Sequence, residues 1–251
     1  MSMIVTTVVP EGIVMAADSS LVTFKMIDMV NFFKGNTAEA ISNTLAGNCA
    51  YVKENLVGNK TLSKSVRKLH VMKGNNIAIA DGNQRNVNNK SIAPYIDYFC
   101  NNNRYNDPQS CAMSLLGFIK SIGQNIKAMY HVCGYNPEGA IPLPEFWFVD
   151  VAENTVFDAI GDARYGLNFC GANEYFSQYI PLINKNIIAY SLQDAIDVSM
   201  FAIETCMKLE RFIDREDLIS PPVDLLVIEP SGVKWIQQKT LKAGGYYGGI
   251  H

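Results

Sequence analysis

Four residues at separated points of this 251-residue chain could together carry out acyl transfer: Ser2, Asp18, Lys68 and Gly82. Removal of Met1 is favoured when the next residue is as small as serine, and it would leave Ser2 with both a hydroxyl and a free α-amine. Such an amine, with a pKa of about 8, can act as general base to the hydroxyl on its own residue. Singly, each position has a plainer reading. An aspartate at a strand end is most often a turn former, a lysine is most often a solvated charge, and every chain has a second residue. Late in the sequence, Asp217-Leu218-Ile219-Ser220 adds a D-x-x-S spacing that is weak alone.

The elements that would hold these residues are read from periodicity and turn chemistry. Residues 3–9 are β-branched and apolar, Pro10-Glu11-Gly12 supplies a turn, and 13–17 continue as a second strand, which predicts a hairpin ending at Asp18. Residues 20–66 show helical spacing broken by Gly35, Gly47 and Gly58, and are read as a largely helical insert. A second hairpin is expected from 68–72 and 77–80, carrying Lys68 on one strand and leading into Gly82. Within the asparagine-rich stretch 83–106, residues 93–99 could form the ordered part of a helix. Asp107-Pro108 is an N-cap and N1 pair for a long helix from 109 to about 132. Strands are expected at 146–151, 155–160 and 167–170, helices at 173–184 and 191–212, and a third hairpin at 223–228 and 233–236. The order strands, helices, strands, helices, strands predicts an α+β four-layer αββα sandwich, two antiparallel sheets face to face with helix pairs outside. It is read as a single domain over 1–251, with a flexible tail at 243–251.

Gly12-Ile13-Val14-Met15-Ala16-Ala17-Asp18-Ser19 resembles the second strand of the proteasome-type N-terminal nucleophile hydrolases, specifically the catalytic β-type subunits and their bacterial homologues. In that family the nucleophile precedes the aspartate by about sixteen residues, which here leads back to Ser2. Val66-Arg67-Lys68-Leu69-His70-Val71 is similar to the segment carrying the family's active-site lysine, and Gly82 falls at the spacing of its oxyanion glycine. The resemblance implies that Lys68 lowers the effective pKa of the Ser2 hydroxyl and that Asp18 holds the ammonium. Gly82 would donate its N–H to the oxyanion, and Asp217 with Ser220 would orient the α-amine. It further implies the Ntn hydrolase fold, no cofactor, a peptide or unfolded-protein substrate, and assembly into a homo-oligomeric ring or helical stack. The chain departs from the pattern in four places. Serine stands for the usual threonine, Ala172 stands where serine is common, Pro221-Pro222 replaces a glycine pair, and an insert of about 34 residues lies within 21–65. Two alternatives on the same fold are a non-catalytic ring or scaffold subunit, and an acylase or transpeptidase.

Composition bounds the rest. Apolar residues at 48% and charged residues at 18% exclude global disorder, and a net charge of −3 offers no field for nucleic acid or an anionic membrane. No apolar run approaches the roughly 18 residues of a membrane helix, and the first basic residue is Lys25, so a cytoplasmic protein is expected. Six scattered cysteines without a C-x-x-C pair, beside three histidines, argue against zinc and for buried thiols in a reducing compartment. Thr6-Thr7 is a rival nucleophile register. Cleavage after Val5 would shorten the strand by about 13 Å and take the hydroxyl out of reach of the same lysine. His70 is read as a strand histidine on the more polar face, and His131 as a residue at a helix end.

Overall fold

The computed structural model of the chain describes residues 3–24, 59–63, 66–83, 86–87, 90–123, 126–138, 140–171, 176–210, 212 and 219–240. The first apolar run folds back on the second. β1 (Met3–Val9) and β2 (Gly12–Ala17) are antiparallel around Pro10-Glu11, with Ile4 opposite Ala17 and Val9 opposite Gly12. β3 (Leu21–Phe24) and β4 (Asn59–Ser63) pair with each other, so the described ends of the stretch read as a helical insert are strands. Its interior, 25–58, lies outside the described residues, as does the tail from 241 onward.

The second hairpin is β5 (Leu69–Val71) and β6 (Ile77–Asn83), followed by a short ladder of β7 (Asn86–Val87) and β8 (Lys90–Ser91). α1 (Ala93–Asn102) and α2 (Pro108–Ile122) come next. α2 is capped by Asp107, whose Oδ1 accepts the Ser110 N–H at 2.7 Å. α2 is shorter than expected, because 128–136 is a strand, β9 (Ala128–Asn136), so His131 sits mid-strand rather than at a helix end. The physical reason is legible afterwards. Beyond Gly123 the residues that enter the core shared with α1 and α2 are Ile126, Ala128, Tyr130 and Val132, a period of two rather than 3.6, while Cys133 is buried in the core between the sheets.

β10 (Leu143–Asp150), β11 (Thr155–Asp158) and β12 (Gly166–Gly171) follow. Of the helix expected at 173–184, residues 173–175 lie outside the described residues, and the described part is a 3₁₀ turn at Ser177–Tyr179 followed by α3 (Ile180–Asn184), where Pro181, lacking an N–H, suits only a first turn. α4 (Leu192–Glu210) begins after Ser191, whose Oγ donates to Asp194. β13 (Asp224–Glu229) and β14 (Gly232–Gln237) close the described chain.

These elements make an α+β fold with two five-stranded antiparallel sheets, ordered β12-β1-β2-β13-β14 and β11-β10-β9-β6-β5, and four α-helices among the described residues. One core cluster joins the sheets: Ile4, Ile13 and Met15 from the first meet Leu69, Ala80 and Phe146 from the second. On the other face of the first sheet, Val5, Val14 and Val227 pack with Ala202, Ile203 and Cys206 of α4. On the other face of the second, Ile77, Ile79 and Tyr130 pack with Phe99 of α1 and Leu115 of α2. β1 and β2 are thus buried on both sides, and each large apolar side chain so placed contributes about 1.5–3 kcal/mol relative to exposure. The sheets are also clipped together away from Lys68. Asn75, in the β5–β6 turn, accepts the Val233 N–H at 2.9 Å and donates its Nδ2 to the Val233 carbonyl at 3.1 Å.

Candidate active site

β1 begins at Met3 and β2 ends at Ala17, so the first residue past β2, Asp18, lies beside the start of the chain. The Asp18 N–H donates to the Met3 carbonyl at 3.2 Å. The Asp18 side chain is fully buried and accepts four donors. Its Oδ1 takes the Met3 N–H at 2.8 Å and the Lys68 ammonium, and its Oδ2 takes the Ser20 N–H at 2.8 Å and the Ser220 N–H at 3.3 Å. Both carboxylate oxygens are thereby hydrogen-bonded, as a buried polar group requires.

Lys68 leads into β5 and is as fully buried as Asp18, forming an ion pair with it across the two sheets. The ladder fixes its backbone, because its carbonyl accepts the Asp81 N–H at 2.9 Å. Gly82 lies one residue further along β6, opposite Met129 of β9. A Cβ there would stand 2.7 Å from Cys170 Sγ and 3.4 Å from Ile4 Cδ1, so the space a side chain would need is taken by neighbours in β12 and β1. The structure therefore brings Asp18, Lys68 and Ser220 onto one cluster around the Met3 amide, with Gly82 against the next residue of β1. Ser2 and Asp217 lie outside the described residues, as does Ala172.

Sequence reasoning missed several members of the cluster. Ser20 Oγ and Ser220 Oγ are 2.5 Å apart, and the Ser19 N–H donates to the Ser220 carbonyl at 3.0 Å, tying the end of β2 to the segment before β13. Cys170 touches Met129 Sδ at 3.6 Å, and burial pushes its thiol up to about 12, which leaves it a packing residue. Cys100, Cys111, Cys133 and Cys206 are likewise free and buried, while Cys49 lies outside the described residues.

The two described histidines are both buried, His70 on β5 with its ring toward two carboxylates and His131 mid-strand rather than at a helix end. The His70 Nδ1 is 2.8 Å from Asp97 Oδ1 on α1, and its Nε2 is 3.3 Å from Asp81 Oδ2 on β6. Burial pulls the His70 pKa down, but hydrogen bonds and charges of both carboxylates outweigh it and the net shift is upward. His131 lies between Phe146 and Phe148 with Nδ1 2.9 Å from Thr6 Oγ1, and burial alone lowers its pKa to about 3. Thr6 and Thr7 are fully buried mid-strand, Thr7 bonded to Ser199 of α4 at 2.7 Å, so the rival nucleophile register falls inside the core.

Among the described residues no helix is long and apolar enough to cross a membrane. No protein-family model matches the chain, and no curated protein matches it. Solved structures do. Anbu (ancestral beta-subunit) from Yersinia bercovieri aligns with a TM-score of 0.57 at 11% identity, covering 95% of this chain and 88% of its own. A mutant Anbu from Hyphomicrobium sp. strain MC1 aligns with a TM-score of 0.58 at 12% identity, covering 98% of this chain and 90% of its own. These likenesses correct the resemblance to catalytic proteasome β-subunits and their bacterial homologues: the similar structures are Anbu proteins, proteasome-like but a distinct family. The motif residues encode a strand end and a buried Asp–Lys pair, features of a fold that do not separate one family within it. What the likenesses show for this chain is the proteasome-like fold of the Anbu proteins.

Proposed function

We propose that this chain is an N-terminal-nucleophile amide hydrolase, acting on peptide bonds through an acyl-enzyme on Ser2 once the Met1–Ser2 bond is hydrolysed. The observation that carries the reading is the shared Asp18 oxygen, which accepts both the Met3 N–H and the Lys68 ammonium. The Met3 nitrogen is joined to the Ser2 carbonyl carbon by one peptide bond of about 1.33 Å, so Ser2 is tethered to an atom anchored on the partner of Lys68.

The chemistry follows from those groups. The free Ser2 α-amine takes the proton from the Ser2 hydroxyl as its oxygen adds to the scissile carbonyl, and the Lys68 charge favours the developing alkoxide. The Gly82 N–H would receive the oxyanion, a contribution of about 3 kcal/mol to the barrier. The α-ammonium then gives its proton to the departing amine, leaving an ester on Ser2. Water, deprotonated by the same α-amine, releases the acid and restores the hydroxyl. Asp217 and Ser220 would orient the α-amine, and no step draws on a cofactor. The reading carries with it a single domain in a four-layer αββα arrangement, a cytoplasmic location, homo-oligomeric assembly, and peptide or unfolded protein as substrate.

A second reading, a non-catalytic scaffold subunit, is favoured by the packing of Gly82 against Cys170 and Ile4. One experiment separates them. Mass spectrometry of the natively produced chain is expected to find Ser2 as the first residue, and incubation with a β-lactone acylating agent is expected to add one acyl group there. Retained Met1, or a mature Ser2 that stays unacylated while peptide is not turned over, would sink the hydrolase reading in favour of the scaffold.

A further inference from the structure

Lys239 follows β14, and its side chain is 6% exposed. Its ammonium donates to Ser19 Oγ at 2.6 Å and to the Val66 carbonyl at 2.7 Å, and pairs with Asp224 Oδ2 at 2.7 Å. Its own backbone N–H donates to Asp224 Oδ1 at 2.8 Å, so the aspartate holds both ends of the residue. Each contact adjoins a group of the candidate site. Ser19 separates Asp18 from Ser20, Val66 stands two residues before Lys68, and Asp224 opens β13 four residues after Ser220. The same segments bind one another, the Val66 N–H reaching the Ser19 carbonyl at 3.1 Å and Ser19 Oγ donating to the Pro222 carbonyl.

A buried ammonium is destabilising unless it is paired and hydrogen-bonded, and this one is paired with Asp224 and hydrogen-bonded to Ser19 and Val66, on three separate stretches of chain. An apolar side chain of similar length could fill the space but could not tie the three stretches together. Three donors on one flexible stem suit that task. We propose that Lys239 is a positioning residue for the Asp18–Lys68 centre. It sets the end of β2, the lead into β5 and the segment before β13 at fixed separations, and acylation of Ser2 depends on that placement. The dependence on acylation rests on the hydrolase reading above.

The test compares the full chain, with Met1 removed, as Lys239→Met and Lys239→Arg. The β-lactone is the probe, and amide hydrogen exchange is measured in parallel. Lys239→Met is expected to lower the maximal rate of acylation about 10- to 100-fold with the half-saturating probe concentration unchanged, while Lys239→Arg, which keeps the charge and the donors, recovers most of it. Exchange at Ser19, Ser20 and Ser220 is expected to quicken in Lys239→Met while α2 is unaffected. An unchanged maximal rate, or a folded Lys239→Arg as impaired as Lys239→Met, would overturn the proposal. Should the unsubstituted chain resist acylation, the hydrolase reading fails by itself, and exchange alone then judges the placement: unchanged rates at Ser19, Ser20 and Ser220 refute it. If Lys239→Met does not fold, Lys239→Gln, which keeps two N–H donors without the charge on a shorter stem, takes its place in both measurements.

Discussion

Lys68 and Met3 meet on a single atom: the ammonium of one and the backbone N–H of the other both donate to Asp18 Oδ1, at a point where neither Lys68 nor Asp18 is exposed. Two sheets are therefore joined by a charge pair whose members cannot be hydrated if separated. Removing one partner from such a pair typically destabilises by about 3–5 kcal/mol, because the other charge is left buried, whereas replacing both by apolar groups can be near neutral. Asp18→Asn and Lys68→Met are each expected to lower the urea midpoint strongly, and the double variant to lose much less than the sum. Additivity of the two within about 0.5 kcal/mol would show that the pair is not coupled.

Gly82 makes a prediction independent of chemistry. A Cβ at this position meets Cys170 Sγ at 2.7 Å, and the same sulfur touches Met129 Sδ at 3.6 Å, so the thiol must shift to admit it. Gly82→Ala is expected to destabilise by about 1–3 kcal/mol, the usual range for overpacking a filled core. Cys170→Ala should relieve part of that loss when combined with it, so that the double variant is more stable than Gly82→Ala. If Gly82→Ala melts with the unsubstituted chain, the contact with Cys170 is not limiting.

Asp107 gives a smaller effect of the same kind. Its Oδ1 caps α2 by accepting the Ser110 N–H at 2.7 Å, with Pro108 at the first helical position. Asp107→Ala is expected to cost about 1 kcal/mol, and Asp107→Ser to retain most of the stability. A thermal midpoint indifferent to both would mean that α2 is fixed by its packing on β9 and β10 alone.

The parts of the fold legible in the sequence are those governed by local rules. The hairpins around Pro10-Glu11, 72–77 and Pro230-Ser231, and the Asp107 cap, depend on residues within a few positions of one another. β9 was not legible, because an apolar run after Gly123 fits a helix until the alternation of Ala128, Tyr130 and Val132 is matched to a sheet face. Asp18 and Lys68 could be nominated together from their motifs. Lys239 could not, since a lysine after a strand reads as a solvated charge, and its burial is set by Ser19, Val66 and Asp224, which only tertiary structure brings to it. The strand and polar face of His70 could be read from alternation along β5, but its burial and its partners could not, since Asp81 and Asp97 lie on β6 and α1.

The two histidines set opposite limbs of a stability profile. His70, between Asp81 and Asp97, with Arg67 also on Asp97, has its pKa raised from 6.5 because the two carboxylates outweigh burial. A folded pKa above the unfolded one stabilises fully below the unfolded value and is lost as pH rises through the folded value. The hydrogen bond from His70 pulls the Asp97 carboxyl below 3.8 against its own desolvation, so that share is present above the unfolded value and fades only as pH falls through the depressed one. His131 runs the other way. Burial lowers its pKa from 6.5 to about 3, so the unfolded chain binds a proton that the folded chain refuses, and stability falls as pH drops from 6.5 toward 3. Denaturation in urea at stepped pH is expected to give a maximum near neutrality. His70→Gln should flatten the alkaline decline and remove the share that fades as Asp97 is protonated, while leaving the fall that His131 sets between pH 6.5 and 3; His131→Asn, able to keep a hydrogen bond to Thr6, should remove that fall and leave the alkaline decline. An alkaline limb unchanged by His70→Gln would mean that the Asp81–His70–Asp97 bridge does not hold the proton its geometry favours.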